Sequence, residues 1–297
     1  MASSPDFKVK LSSLVTEVET GLRTLVAPAS TRPARLHEAM RYSLEAGGKR
    51  LRPVLTLAAA ELFGARADAL PAAVAIECVH TYSLIHDDLP AMDNDDVRRG
   101  RPTCHKQFDE ATAILAGDAL LTHAFALIGN AYAARPELAA ALVREIGHAA
   151  GSTRLIGGQM ADMLGETTDG ITPDDLEFIH RNKTGAMIEI AFVAGGLCGE
   201  ADEKTIATLR DVGAHLGLAF QIIDDVLDAT RTSAELGKTA GKDVASGKAT
   251  YVKVHGLDAS RAAAARATQL ALTRIGDLPG DTGFLIDLAA AMLQRNA

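Results

Sequence analysis

At 297 residues, 47% hydrophobic and 23% charged, the chain has enough apolar material for one large core or two ordinary ones. A net charge of −8 excludes general nucleic-acid binding, which needs a basic footprint, and makes any local basic cluster informative. The three cysteines, Cys78, Cys104 and Cys198, lack metal-ligand spacing, the N-terminus has no basic or apolar leader pattern, and no 18-residue apolar run is free of polar breaks. Reduced thiols, a cytoplasmic location and no stable membrane anchor are therefore expected. Alanine is abundant, aromatics are 4% and alternating strand patterns are nearly missing. Helical spacing predicts helices near 6–25, 34–46, 53–63, 70–89, 109–130, 136–155, 174–197, 203–230, 250–274 and 282–294. Those at 70–89 and 203–230 are apolar on more than one face, as inside a bundle. No linker or fixed-period repeat divides the chain. The fold expected is all-α, a single large helical bundle over residues 1–297.

The chemistry-bearing residues follow in chain order. Gly47-Gly48-Lys49-Arg50-Leu51-Arg52-Pro53 precedes the third helix, with Pro53 expected at its first position. Glycines that permit close approach, beside Lys49 and Arg52 at a helix N-terminus, suit an anion. The helix at 70–89 carries His80 and ends in the acidic run Asp87-Asp88 to Asp93-Asn94-Asp95-Asp96, followed by Arg98-Arg99. Asp87 and Asp93 are six residues apart, on different faces of a regular helix, and Pro90 stands between them. The chain is expected to leave the helix there and swing Asp93 back toward Asp87. Lys183-Thr184-Gly185 lies inside a further helix. Asp224, Asp225 and Asp228 lie on an apolar helix with Asp224 and Asp228 four apart, sharing a face. Oxygen-only donors in two clusters suit Mg²⁺ on a polyphosphate. Gly237-Lys238 and Lys248 add basic residues beyond the second cluster.

These motifs, from about Gly47 to Tyr251, resemble the trans-prenyl diphosphate synthases, and most closely the bacterial farnesyl diphosphate synthases. Asp87-Asp88 with Asp93 and Arg98-Arg99-Gly100 resembles the family's first aspartate-rich motif, in the bacterial form with two extra residues. Phe220-Gln221-Ile222-Ile223-Asp224-Asp225-Val226-Leu227-Asp228 resembles the second. Gly157-Gly158-Gln159 with Asp162, Lys183-Thr184 and Gly237-Lys238 fall in family order. The resemblance implies a bundle around a central apolar cavity, a homodimer, and Mg²⁺, three ions, held by Asp87, Asp88, Asp93, Asp224 and Asp228. It implies that Arg98, Lys183, Lys238 and Lys248 bind an allylic diphosphate and that Lys49, Arg52, His80 and Arg99 bind isopentenyl diphosphate. Lys183, Thr184 and Gln221 would line the site of the allylic cation. The residues just before the first motif set product length in that family. Tyr82 and Ser83 lie about one helical turn, 5.4 Å, below Asp87, and bulky Tyr82 is expected to stop the chain at C15. A geranyl or geranylgeranyl diphosphate synthase is the neighbouring alternative. A metal-dependent phosphohydrolase and a non-catalytic synthase subunit are alternatives of a different class. The terminal Gln294-Arg295-Asn296-Ala297 lacks the family's frequent basic ending.

Overall fold

Residues 5–167, 171–230 and 250–293 are described in a computed structural model of the chain. The elements in order are α1 (Pro5–Leu25), α2 (Ala34–Leu44), α3 (Leu51–Glu61), α4 (Leu70–Asp87), strands β1 (Val97–Arg98) and β2 (Arg101–Pro102), and a short α5 (Cys104–Gln107). There follow α6 (Glu110–Ala131), α7 (Pro136–Ala150), α8 (Leu155–Thr167), α9 (Pro173–Ile179), a π-helical turn (His180–Gly185), α10 (Ala186–Cys198) and α11 (Glu203–Thr230). Beyond residue 249 come α12 (Tyr251–His255), α13 (Leu257–Gly276) and α14 (Gly283–Leu293). The fold is all-α; the only pairing of strands among the described residues is the antiparallel β1–β2 hairpin.

At the centre stands α10, in which every residue except Leu197 is buried. A helix apolar on all sides has to be surrounded, and α10 packs against α3, α4, α7 and α11. Around it, α4 lies on α6 and α11 lies on α13. Two charged groups that enter this core are paired there. Arg50, 2% exposed, donates to Glu19 at 2.6 Å and to Glu77 at 2.9 Å. Glu189, on α10, accepts from Arg210 at 2.8 Å and from Arg154 at 2.5 Å. The three cysteines are buried free thiols, and burial pushes each of them up.

Several boundaries differ from those read in the sequence. α3 begins at Leu51, two residues early, so Pro53 sits within its first turn rather than opening it. The segment expected as one helix over 136–155 stops at Ala150, and α8 is a separate helix that the reading omitted. The segment 174–197 is interrupted by the π turn, and 250–274 breaks at Gly256, whose φ is 80°. The apolar run of α6 is broken by Asp118 and His123. By length and composition alone α6 is apolar enough to cross a membrane, with mean hydropathy 1.6, although 44% of that window is buried in the bundle.

Candidate active site

The end of α4 makes the turn that helix arithmetic alone cannot make. α4 stops at Asp87, and the chain then folds back on it. The Asp93 amide donates to the Asp87 carbonyl at 2.8 Å, Asn94 to Leu89 at 3.1 Å and Asp95 to Asp88 at 3.2 Å. Pro90, which has no N–H to extend the helical ladder, stands in the bend. Asp93 is thereby returned beside Asp87, as expected.

The three carboxylates of this motif do not share one environment. Asp88 is 3% exposed and is taken by Arg98, which reaches it through Nε at 2.9 Å and Nη2 at 2.6 Å. Each steadies the charge of the other, a bidentate pair of the strong kind. Asp88 thus holds Arg98, while it stays near enough to Asp87 and Asp93 for their charges to act on one another. Asp87 has its carboxyl pushed up to about 6, first by burial, with the neighbouring Asp93 and Asp88 adding to it and Lys183 and Arg98 opposing. A buried carboxylate with a like neighbour is where a cation is favoured.

The basic side is gathered by the segment before α3. Gly48, at φ 124°, lies under the Arg99 guanidinium, and a Cβ there would sit 2.6 Å from Arg99 Cζ. Arg99 donates to the Gly47 carbonyl. Arg52 Nη1 lies 3.2 Å from His80 Nε2. A guanidinium only donates, so His80 accepts there and is neutral. Its pKa is held well below the usual histidine range by burial and then by Arg52, Arg99, Arg98 and Arg50. Arg52, His80 and Arg99 therefore form one electropositive pocket, with exposed Lys49 at its rim.

Lys183 and Thr184 lie on the π turn, a wider helical turn found mostly at functional sites. Gly158 of α8 packs directly on it: a Cβ at that position would meet the Lys183 backbone nitrogen at 2.3 Å. That approach carries Asp162, one turn along α8, to Lys183 Nζ at 2.6 Å. Across from it on α11, Gln221 Oε1 accepts from Thr184 Oγ1 at 2.8 Å. Asp224 is half-buried, and Asp228 is buried on the same helix. Tyr82 is 5% exposed, meets the His86 ring edge-on at 5.8 Å and has its phenol pushed up to about 12 by burial and by Asp87. Ser83 turns back on its own helix, donating to the His80 carbonyl at 2.9 Å. Lys238, Lys248 and Arg295 lie outside the described residues.

The donor set can be tested against Mg²⁺ on this geometry. Among the described residues, no three acid, histidine or cysteine side chains already converge as a ready-made metal cage. Mg²⁺ does not need one: it is usually held by one or two carboxylates, with substrate phosphates and water completing the shell. Asp87 with Asp93, and Asp224 with Asp228, fit that pattern as oxygen-only pairs. The residues that the sequence reading left without a role are Asp162, Asp225 and His180. Asp162 had a signal in its place three residues after Gln159 and Asp225 in its place within the second acidic cluster, whereas His180 had none, because its contact with Asp225 joins distant segments.

Residues 33–275 match the polyprenyl synthetase family. The chain is 44% identical to a chloroplastic geranylgeranyl pyrophosphate synthase of Catharanthus roseus over 298 residues, covering 99% of this chain and 83% of that one. It is 52% identical to the farnesyl diphosphate synthase of Geobacillus stearothermophilus over 222 residues, covering 74% of each. A solved structure, the apo form of a FPP/GFPP synthase from Zymomonas mobilis, superposes with a TM-score of 0.87 at 33% identity, covering 97% of this chain and 99% of that one. The aspartate-rich turn, the arginine–histidine pocket and the π turn thus occur in a chain that belongs to the polyprenyl synthetase family, a family of prenyltransferases.

Proposed function

We propose that the protein condenses isopentenyl diphosphate with dimethylallyl or geranyl diphosphate and that its main product is farnesyl diphosphate, C15. The prenyltransferase reading is supported by two separate phosphate-type sites: carboxylate pairs with Lys183 and Arg98 on one side, Arg52, His80 and Arg99 on the other. A phosphohydrolase needs only one. C15 is supported by a single observation, the bulk of buried Tyr82 about one helical turn before Asp87 and within reach of its charge. The relatives divide between farnesyl and geranylgeranyl synthases, and the 44% identity over nearly the whole chain to a geranylgeranyl synthase keeps C20 as the second reading.

The allylic C–O bond breaks, leaving an allylic cation and diphosphate; the isopentenyl double bond then attacks, and a proton is lost to the departing diphosphate. Mg²⁺, the family's metal, would be held by Asp87, Asp93, Asp224 and Asp228 and supplies positive charge for the leaving group when bound. Asp162 holds the Lys183 ammonium, and Asp88 holds the Arg98 guanidinium, each with a charge to place on the allylic diphosphate. Arg98 Nη1 is the nitrogen outside the Asp88 contacts. Thr184 and Gln221 present oxygen dipoles to the cation. The surrounding apolar helices exclude the water that would quench it. Lys49, Arg52, His80 and Arg99 bind the isopentenyl diphosphate. Lys238 and Lys248 complete the allylic site in this reading, three Mg²⁺ ions serve it, and the working form is a homodimer.

The test is product analysis by chromatography after incubation with Mg²⁺, isopentenyl diphosphate and geranyl diphosphate. The wild type should give C15. Tyr82→Ala should move products to C20 or longer, and Ser83→Phe toward C10. Phosphate release with no prenyl product would reject the prenyltransferase reading, and a wild-type C20 product would reject C15.

A further inference from the structure

Asp225 sits between the two residues assigned to metal on α11, yet its side chain is turned into the protein. It is 4% exposed. Its Oδ2 accepts the Tyr251 backbone N–H at 2.7 Å, and its Oδ1 accepts Gln221 Nε2 at 3.2 Å. Buried His180, stacked on Tyr251 with ring centroids 5.7 Å apart, brings Nε2 to 3.3 Å from the same carboxylate. Three groups, from α11, the π turn and α12, thus close around one carboxylate. Gln221 continues the chain of contacts to Thr184, at 2.8 Å.

The order of donors along this chain is forced. A glutamine amide has one end that donates and one that accepts. Facing a carboxylate, only the NH₂ end is favourable, because a carbonyl there would oppose like charge. Gln221 Oε1 must then face Thr184. A carbonyl oxygen only accepts, so the Thr184 hydroxyl has to give its single hydrogen to Gln221. Both lone pairs of Thr184 Oγ1 are left facing away from Gln221.

We propose that Asp225 is a positioning residue: by fixing the Gln221 amide it locks the Thr184 hydroxyl with its lone pairs, rather than its hydrogen, toward the carbon that becomes cationic. The inference rests on the prenyltransferase reading, in which Thr184 lines the allylic site. Diphosphate oxygens nearby would otherwise compete for the Thr184 hydrogen and turn the positive end of that dipole into the site. A hydroxyl already committed to Gln221 needs no reorientation when charge develops, which is where a preorganised dipole acts.

The probe is a tertiary ammonium analogue of the geranyl cation, titrated calorimetrically with inorganic diphosphate and Mg²⁺ present. Asp225→Asn, whose amide tolerates either end of Gln221, should weaken the ammonium analogue roughly tenfold, the worth of one hydrogen-bond-scale dipole. Binding of inorganic diphosphate with Mg²⁺ alone should stay within about twofold on the same scale. In turnover, kcat should fall roughly 10²-fold, with both KM values little changed. The Mg²⁺ concentration for half-activation should stay at the wild-type value, whereas Asp224→Asn raises it. In a Thr184→Val background, Asp225→Asn should cost little more, since the two act as one unit. Gln221→Met leaves the Asp225–Tyr251 bond in place and should reproduce the kcat loss, so the inference is tested even if Asp225→Asn does not fold. A raised Mg²⁺ requirement in Asp225→Asn, an unchanged ammonium affinity, additivity with Thr184→Val or full activity of Gln221→Met would each overturn it. Failure of the wild type to form any prenyl product would instead overturn the reading on which it rests.

Discussion

At the scale of single residues, the arrangement around His80 separates the two substrates. Arg52 is joined to His80 and shares its field with Arg99, away from the carboxylate pairs. Arg52→Ala should therefore raise the Kd for isopentenyl diphosphate about one to two decades, the worth of a charge-assisted contact of roughly 1.5–3 kcal/mol. Geranyl diphosphate should bind nearly as before. Separate titrations of the two ligands check this, and equal weakening of both would merge the two sites into one. Residue spacing pointed to Arg52, His80 and Arg99 only singly, and it was the family resemblance that grouped them. Spacing did not reveal that Asp88 would be paired with Arg98, because the irregular chain between residues 88 and 97 that brings them together follows no helical or strand spacing. The return of Asp93 to Asp87 was legible because Pro90 is a local covalent cause.

At the scale of elements, the contact between α8 and the π turn decides where Lys183 stands. Gly158 allows it, since any Cβ there would fall 2.3 Å from the Lys183 backbone nitrogen. The obstacle is backbone rather than the end of a flexible side chain, so one of the two elements must move. Gly158→Ala should cost about 1–3 kcal/mol, the range for overpacking, and should reduce kcat by displacing Lys183 from Asp162. Gly147→Ala on α7 is the opposite case. Its Cβ would rest 3.8 Å from the Phe125 ring, an ordinary contact. There the helix-propensity gain of about 1 kcal/mol over glycine should raise the melting temperature, with activity unchanged. Thermal melts and initial rates on the two variants decide the matter, and equal effects would deny the α8 contact its role. The same glycine explains a boundary the sequence obscured. Gly157-Gly158 looks like a break by propensity, yet it lies within α8 because close packing there outweighs the entropic cost of glycine. The π turn was invisible for a related reason: Lys183-Thr184 has ordinary helical spacing, and the widened turn is set by the packing of α8 and α11 on it.

At the scale of the whole molecule, α6 poses the remaining question. Its length and its mean hydropathy of 1.6 would suit a membrane or a core, yet only 44% of that window is buried within this chain. Its inner face is accounted for by α4. Its outer face carries Ile114 at 44% and Leu115 at 58% exposure, and Val143 of the neighbouring α7 is 39% exposed. Asp118 on the same helix, with a side chain 60% exposed, makes lipid a poor solvent for that face. A second copy of the chain suits it better, in line with the homodimer proposed above. Most such dimers have two-fold symmetry, which sets the same patch of each protomer in one interface. One substitution then acts twice. Leu115→Glu would place two like charges in the contact, each without a partner and both removed from water, a penalty beyond what a typical interface residue contributes. The wild type should sediment at micromolar concentration with twice the 31.1 kDa of the chain, and Leu115→Glu should sediment with the mass of one. Circular dichroism should be preserved, because Leu115 lies outside the core of the bundle. A wild-type monomer, or a Leu115→Glu dimer as tight as the wild type, would remove α6 from the interface.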